Sequence, residues 1–267
     1  MIGFDSLTEM ADIHCHLLPY VDDGAADTDE AYELILNEYA QGVRLIIITV
    51  HLRYGMFDTD VSNVLKHFDN LKSMLSQENM KDLEVFVSRE YYCDERFEAI
   101  LDGYASGAEK IIYEDKEYFP KKEIMPIGKN NCILLEFSSG KIQKNEFEVF
   151  IKKSVSAGLT PIIAHVERYP AVWSNMTLVD NMKNYGAYIQ VNADSILGKE
   201  SRQRVDVART LLKSGALDIV CSDAHDTEFR TPNMKKCYKY LKSKFGKDTA
   251  AKLMHDNAYK LVKRFDR

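Results

Sequence analysis

Asp12-Ile13-His14-Cys15-His16 lies near the start of the chain, and the acidic turn Asp22-Asp23-Gly24 follows it. Successive side chains of an extended strand point to opposite faces, so the two histidines share one face. Two imidazoles at one strand end form half of a metal-binding site, and Asp23 is near enough in sequence to add an oxygen ligand. A His-x-His pair alone does not establish such a site, because unrelated polar residues often have the same spacing.

A helix that ends at a glycine and is followed by an apolar strand recurs four times along the chain. This pattern is typical of βα units, and strands without clean alternation are typical of a parallel sheet buried on both faces. The predicted units are helix 28–41 with strand 44–50, helix 144–157 with strand 160–164, a helix before Gly186 with strand 188–191, and a helix before Gly215 with strand 217–221.

Weaker apolar runs at 11–14, 83–87 and 132–136 bring the number of predicted strands to seven. Seven strands with intervening helices predict an α/β fold, a closed or nearly closed β/α barrel of the TIM type. The alternative is an open doubly wound sheet, but neither GxGxxG nor GxxxxGK[ST] occurs in the chain. We expect an amphipathic helical region from Asn233 onward to close the barrel.

Histidines and carboxylates stand at the carboxyl ends of the predicted strands, where β/α barrels build their active sites. The chain has only 7 histidines, and the two outside this set, His67 and His255, lie in helical contexts. Buried core histidines unrelated to function would not concentrate in this way. The candidate metal ligands are His14, His16, Asp23, His51, Glu90, Glu136, His165, Asp223 and His225.

Five imidazoles and four carboxylates suit borderline to hard divalent ions such as manganese, iron, cobalt or zinc. Nine donors are too many for one tetrahedral zinc and fit two or three ions bridged by a carboxylate. Three divalent ions with four carboxylates leave a local charge of about +2, which attracts a phosphate dianion. Arg53, Arg168 and Arg230 lie close in sequence to three of the histidines, and guanidinium groups bind phosphate by paired hydrogen bonds.

Composition excludes several classes of protein. The chain has 267 residues and a net charge of −6, which argues against nucleic-acid or anionic-membrane binding. The start, Met1 to Asp5, lacks the features of a signal peptide, and the apolar run 45–50 is too short to span a bilayer. Its 5 scattered cysteines are typical of reduced thiols. We therefore expect a cytoplasmic, single-domain protein over residues 1–267; its oligomeric state stays open.

Residues 113–131 form a charged excursion with two prolines. We interpret it as a surface loop, with a rim element that meets a macromolecular substrate as the alternative.

The motifs together resemble the PHP (polymerase and histidinol phosphatase) superfamily, and more narrowly the bacterial metal-dependent tyrosine-protein phosphatases encoded with capsular and exopolysaccharide genes. The resemblance runs from Asp12 to about Val262. Cys15 stands where relatives usually have a small hydroxyl residue. The motifs that carry the resemblance are Asp12-Ile-His14-Cys-His16, Asp22-Asp23-Gly24, Thr49-Val-His51, Glu90, Leu135-Glu136-Phe137, Ala164-His165-Val-Glu-Arg168-Tyr169 and Ser222-Asp223-Ala-His225.

The resemblance implies a distorted (β/α)7 barrel with a trinuclear, often manganese-containing site made of the nine residues given above. It further implies that Glu90 bridges the metals, that Arg168 binds phosphate and is needed for turnover, and that Arg230 lies near phosphate. The implied reaction is the dephosphorylation of a tyrosine autokinase of polysaccharide synthesis. Our mechanistic hypothesis is in-line attack by metal-bound hydroxide, without a phospho-enzyme intermediate.

Alternative functions are another PHP-type phosphoesterase acting on a small phosphomonoester such as histidinol phosphate, an amidohydrolase, and a non-catalytic docking protein. The amidohydrolases also begin with His-x-His but typically use a lone aspartate after the last strand, whereas Asp223 is accompanied by His225. A cysteine-based phosphatase is excluded, because no cysteine is followed six positions later by an arginine. Tyr91, Tyr92 and Tyr169 are candidates for an aromatic substrate pocket or, equally, for core packing.

Overall fold

The computed structural model describes residues 9–78, 80–140 and 145–262. Seven parallel strands form one sheet in the order β1-β2-β3-β6-β7-β8-β9, and β4 and β5 form a separate antiparallel hairpin. The strands are β1 (Met10–Cys15), β2 (Val43–Leu52), β3 (Glu84–Tyr92), β4 (Ile111–Tyr113), β5 (Lys116–Tyr118), β6 (Cys132–Glu136), β7 (Thr160–Ile163), β8 (Tyr188–Asn192) and β9 (Ile219–Cys221).

The sheet closes on itself where the residues after β9 meet β1. The Asp223 N–H donates to the His14 carbonyl at 2.9 Å, and the His16 N–H donates to the Ala224 carbonyl at 2.8 Å. These bonds join the first and last strands at their carboxyl ends. The predicted seven-stranded barrel is therefore confirmed.

Helices surround the barrel and connect its strands. The first of them begins after Asp27, whose side chain accepts the Glu30 N–H at 2.9 Å, and ends at Gly42 with a φ of 104°. The helices are α1 (Thr28–Gln41), α2 (Val61–Leu75), α3 (Glu95–Ser106), α4 (Pro120–Glu123), α5 (Glu146–Ser156), α6 (Pro170–Ser174), α7 (Thr177–Asn184), α8 (Ala193–Leu197), α9 (Arg202–Ser214), α10 (Met234–Phe245), α11 (Lys247–Ala251) and α12 (Asn257–Val262), with a 3₁₀ turn at Val166–Arg168 and a π-helical turn at Lys252–Asp256.

Two buried apolar layers hold the barrel together. One lies between the sheet and the helices, and it includes Cys15. The other fills the barrel interior below the polar end, with Ile13, Leu45 and Leu134 among its members, and Leu261 of α12 packs into it. The C-terminal helical region thus covers one end of the barrel, as expected, and leaves the carboxyl ends of the strands for the site.

Three details differ from the sequence predictions. The third strand extends to Tyr92, so Glu90 lies within it, and His51 lies within β2; neither follows its strand. The excursion at residues 113–131 is not a plain surface loop, because it contains most of the β4–β5 hairpin and α4. The predicted N-terminal features at Met1 to Asp5, and the start of helix 144–157 at residue 144, lie outside the described residues.

Among the residues that the structure describes, no helix is both long and apolar enough to cross a membrane.

Candidate metal centre

The nine predicted ligands converge at the carboxyl end of the barrel. A register shift between Asp12 and Cys15 interrupts the alternation of β1, and both Ile13 and His14 consequently point into the barrel. His165 and Asp223 have φ values of 28° and 54°, in a backbone region that costs non-glycine residues on the order of 1 kcal/mol. Such strain is common where the surrounding structure holds a functional side chain in place.

The possible ligand atoms form four overlapping groups, and within each group all atoms lie within 4.8 Å of one another. Every one of the nine predicted residues belongs to at least one group. The groups are His16, Asp23, His51 and His225; His14, Glu90 and His165; His14, His16 and Asp223; and His51, Glu90 and Glu136.

Glu90 is at the centre of this arrangement. One of its carboxylate oxygens lies 3.3 Å from His14 Nε2, 3.2 Å from His16 Nε2 and 3.2 Å from His51 Nδ1. The other oxygen lies 3.0 Å from His165 Nε2. A carboxylate with donors from four other residues around it has the position that a bridging ligand needs.

Several buried atoms of the cluster have no hydrogen-bond partner. Buried polar atoms without partners are costly, and in native proteins they require an explanation such as an ion. Divalent ions coordinated at this point would satisfy all of these atoms at once, so the residues present fit a metal cluster. The atoms are both carboxylate oxygens of Glu90, His51 Nδ1, His225 Nε2 and Glu136 Oε2.

Hydrogen bonds at the Nδ1 atoms orient three of the imidazoles. His14 Nδ1 lies 3.1 Å from Gln190 Oε1, and His16 Nδ1 lies 3.1 Å from Asp22 Oδ2. His225 Nδ1 lies 3.0 Å from the carbonyl of Asp223. Each partner atom is an acceptor, so each Nδ1 carries the proton and Nε2 keeps its lone pair for a metal.

Gln190 and Asn192 are supporting residues that the sequence analysis missed, and it quoted Asp22 in the acidic turn without predicting its supporting role. Gln190 Oε1 also accepts the His165 N–H at 2.6 Å. The Gln190 side-chain nitrogen donates to Asn192 Oδ1 at 2.9 Å, and Asn192 Nδ2 donates to Asp223 Oδ2 at 2.7 Å. The strand β8 thus supplies no ligand itself, yet its side chains hold three ligands from other strands.

The pKa values of several buried groups in the cluster differ strongly from their ordinary values. Burial alone would raise the pKa of Glu90, but the His14 and His51 rings hold it well below its ordinary value. Burial and the Glu90 carboxylate raise the pKa of Glu136 to about 8. Burial opposes protonation of His16, yet its hydrogen bond with Asp22 and the nearby Glu90 carboxylate raise its pKa to about 10. Protons on these groups occupy the positions that cations would take, so metal binding competes with protonation.

Two of the three candidate arginines contact the cluster directly. Arg168 Nη2 lies 2.7 Å and Arg230 Nη2 lies 3.0 Å from Asp223 Oδ2. Burial opposes ionisation of Asp223, but these guanidinium groups hold its pKa well below the ordinary range. Arg53 instead lies over the Tyr92 ring at 4.2 Å, where its charge acts against the rise in the Glu136 pKa.

The remaining candidate side chains lie outside the cluster. Tyr91 and Tyr169 are fully buried members of the core, so neither lines a substrate pocket, whereas Tyr92 is half-buried beneath Arg53. Burial raises the pKa of the Cys15 thiol well above its ordinary value, which agrees with the exclusion of cysteine chemistry. His67 and His255 are half-buried in helical turns, as expected.

Known proteins resemble this chain over nearly its whole length. Tyrosine-protein phosphatase CpsB of Streptococcus agalactiae serotype V is 30% identical over 260 residues, which are 95% of this chain and 98% of that protein. Tyrosine-protein phosphatase YwqE of Bacillus subtilis is 26% identical over 90% of this chain and 86% of its own length. A crystal structure from work on YwqE and on CpsB of Streptococcus pneumoniae, described as unique metal-dependent tyrosine phosphatases, superposes with a TM-score of 0.79, 26% identity and 94% coverage of both chains.

More distant structures share the fold alone. The phosphotriesterase homology protein from Escherichia coli has a TM-score of 0.60 and 14% identity, over 96% of this chain and 99% of that one. The sequence model for capsular polysaccharide synthesis proteins CpsB/CapC matches residues 10–263. This match and the identity with the streptococcal proteins confirm the resemblance drawn from the motifs. The chain belongs to the CpsB/CapC family of capsular polysaccharide synthesis.

Proposed function

We propose that this chain is a metal-dependent tyrosine-protein phosphatase and that its nine donors at the carboxyl end of the barrel hold two or three divalent ions. The observation that carries the proposal is the convergence of four imidazoles on Glu90, whose two carboxylate oxygens have no hydrogen-bond partner. Manganese is the favoured metal, and iron, cobalt or zinc suit the same oxygen and nitrogen donors.

The protein's own residues would position the phosphate and stabilise its charge. Ions held by these residues would supply Lewis acidity and would lower the pKa of a water beside the phosphate. Arg168 and Arg230 lie beside Asp223 at the mouth, where their guanidinium groups can bind the equatorial phosphate oxygens. The leaving phenolate has a conjugate-acid pKa of about 10, so it needs less protonation than an alkoxide from serine.

Activity after metal removal tests the proposal. The chelated protein is assayed with a phosphotyrosine peptide, a phosphoserine peptide and histidinol phosphate, before and after each divalent metal is added back. We expect hydrolysis of the phosphotyrosine peptide to be lost on chelation and restored by manganese. Equal activity without metal, or a preference for histidinol phosphate, contradicts the proposal. His14→Ala is the inactive variant and His67→Ala the matched histidine control.

The natural substrate that we propose is a tyrosine autokinase of polysaccharide synthesis, in a cytoplasmic setting. The five cysteines, all free, agree with a reducing compartment. We also propose that residues 1–267 form one PHP-type domain, since the family match covers residues 10–263. Incubation with the phosphorylated autokinase of the same organism tests the substrate: its phosphotyrosine signal must fall with the wild type and persist with His14→Ala.

A further inference from the structure

Large apolar side chains are exposed around the mouth of the metal centre. Phe229 is 86% exposed, Tyr20 59%, Met56 58% and Tyr54 45%. They lie in the loops that follow β9, β1 and β2, which are neighbours in the closed barrel. Single exposed apolar residues need no explanation, but a cluster beside a concave site marks a binding surface. We name these four residues the apolar arc.

Local hydrogen bonds fix the most exposed member. The Asp226 carboxylate accepts the N–H groups of Glu228 at 2.8 Å, Phe229 at 2.5 Å and Arg230 at 3.1 Å. The His225 N–H closes the same turn by donating to the Arg230 carbonyl at 2.9 Å. The turn therefore holds the backbone of Phe229, which stands exposed on the segment that runs from the candidate metal ligand His225 to the candidate phosphate-binding Arg230.

Backbone hydrogen bonds and ring contacts also hold the turn after β2 in place. Arg53 and Phe57 exchange backbone hydrogen bonds of 2.8 and 2.9 Å, and the Phe57 ring stacks on His51 at 5.2 Å. The Tyr54 ring meets Tyr113 of the β4–β5 hairpin at 5.9 Å, and its hydroxyl bonds to Glu114. Met56 thus stands exposed on a turn whose base contacts the cluster.

We infer that the apolar arc binds the polypeptide segment on either side of the phosphotyrosine and selects segments with apolar side chains next to it. This inference rests on the proposed function. Seven of the nine donor residues are buried, so a phosphate that reaches them lies below the loops at the mouth, and the flanking residues of a protein substrate cross those loops. A small phosphomonoester has no such flanks and would not cover the arc.

Substrates that differ only in their flanks test the inference. The double variant Phe229→Ser with Met56→Ser is compared with the wild type on free phosphotyrosine and on two peptides. The peptides have equal length and charge, with leucine or serine on both sides of the phosphotyrosine. For the leucine peptide we expect kcat/KM to fall about tenfold or more, mainly through KM, because burial of two large apolar side chains is lost. For free phosphotyrosine we expect a change of less than about threefold.

Val155→Ser is the matched control, since Val155 is 45% exposed on α5, away from the strand ends that carry the site. The inference is overturned if the double variant loses the same factor on all three substrates, or on none. It is also overturned if light scattering shows a wild-type dimer that the double variant converts to a monomer, because a second copy then covers the arc. A wild type inactive on every phosphotyrosine substrate contradicts the proposed function itself.

Discussion

Gln190 bonds to two of the proposed ligands without being a ligand. Its side-chain oxygen accepts from His14 Nδ1 at 3.1 Å and from the His165 N–H at 2.6 Å. Gln190→Ala removes this oxygen and both hydrogen bonds, so the His14 ring loses the partner that sets its orientation and tautomer. We expect metal affinity to fall about 10- to 100-fold, the usual cost of removing such a partner. Titration calorimetry with manganese measures the change.

The control variant for this prediction keeps the side-chain oxygen of residue 190, which accepts hydrogen bonds, and replaces the side-chain nitrogen, which donates one. Gln190→Glu retains an oxygen for His14 and His165 and loses the bond to Asn192. Metal affinity in this variant should stay closer to the wild type than in Gln190→Ala. If the two variants lose affinity equally, the oxygen of Gln190 does not position the ligands.

Arg168 contributes charge and geometry at the mouth. Its Nη2 lies 2.7 Å from Asp223 Oδ2, and Arg230 lies on the same oxygen. Since a transition-state donor is worth about 10²- to 10³-fold in kcat, we expect Arg168→Ala to lose turnover on that scale. Metal content, measured by elemental analysis, should be unchanged. Loss of metal along with turnover would make Arg168 a support for Asp223 instead of a phosphate-binding residue.

At the scale of elements, the acidic turn after β1 depends on a glycine. A Cβ on Gly24 would lie 2.0 Å from the His16 carbonyl oxygen, closer than any side chain tolerates. Gly24→Ala therefore displaces the turn that carries Asp22 and Asp23. We expect weaker metal binding and lower activity.

Gly140→Ala is the control variant for Gly24→Ala. The nearest neighbour of a Cβ there is Ser138 Oγ at 3.3 Å, a side-chain atom that can move. Circular dichroism shows whether each variant still folds. Unchanged metal affinity in a folded Gly24→Ala protein would mean that the turn tolerates displacement and that Asp23 is not essential for binding.

The elements differ in how far sequence alone predicts them. Four of the seven barrel strands follow clearly from local patterns, because apolar runs after helix-ending glycines are visible without any tertiary contact, and the other three follow from weaker apolar runs. Strand β5 lies in a charged segment and shows no such pattern, and the apolar run of β4, Ile111–Tyr113, is only 3 residues long. The supporting role of Gln190 depends on the position of β8 between β7 and β9. Neutral amides in a strand give no chemical signal until that topology is known.

For the whole molecule, a buried acidic pair links stability to pH. Glu38 of α1 and Asp12 of β1 are fully buried, and one carboxyl oxygen of Asp12 and both of Glu38 have no partner. Burial and the adjacent Asp12 carboxylate raise the pKa of Glu38 well above its ordinary value of 4.5. A proton on Glu38 can be donated to Asp12, which would satisfy one oxygen of each carboxyl group and join the first helix to the first strand.

The raised pKa of Glu38 determines the direction in which the stability of the folded protein changes with pH. The folded protein holds the Glu38 proton more tightly than the unfolded chain, so this stabilisation is complete below about pH 4.5 and is lost as pH rises towards the folded-state pKa. Glu38→Gln is neutral at every pH and should lose less stability between pH 5 and 9. Its melting temperature should exceed that of the wild type increasingly with pH, by about 2–4 °C for each kcal/mol. Scanning calorimetry with chelator present measures the difference, with exposed Glu33→Gln on the same helix as control. If the difference in melting temperature between Glu38→Gln and the wild type stays constant from pH 5 to 9, Glu38 and Asp12 do not share a proton.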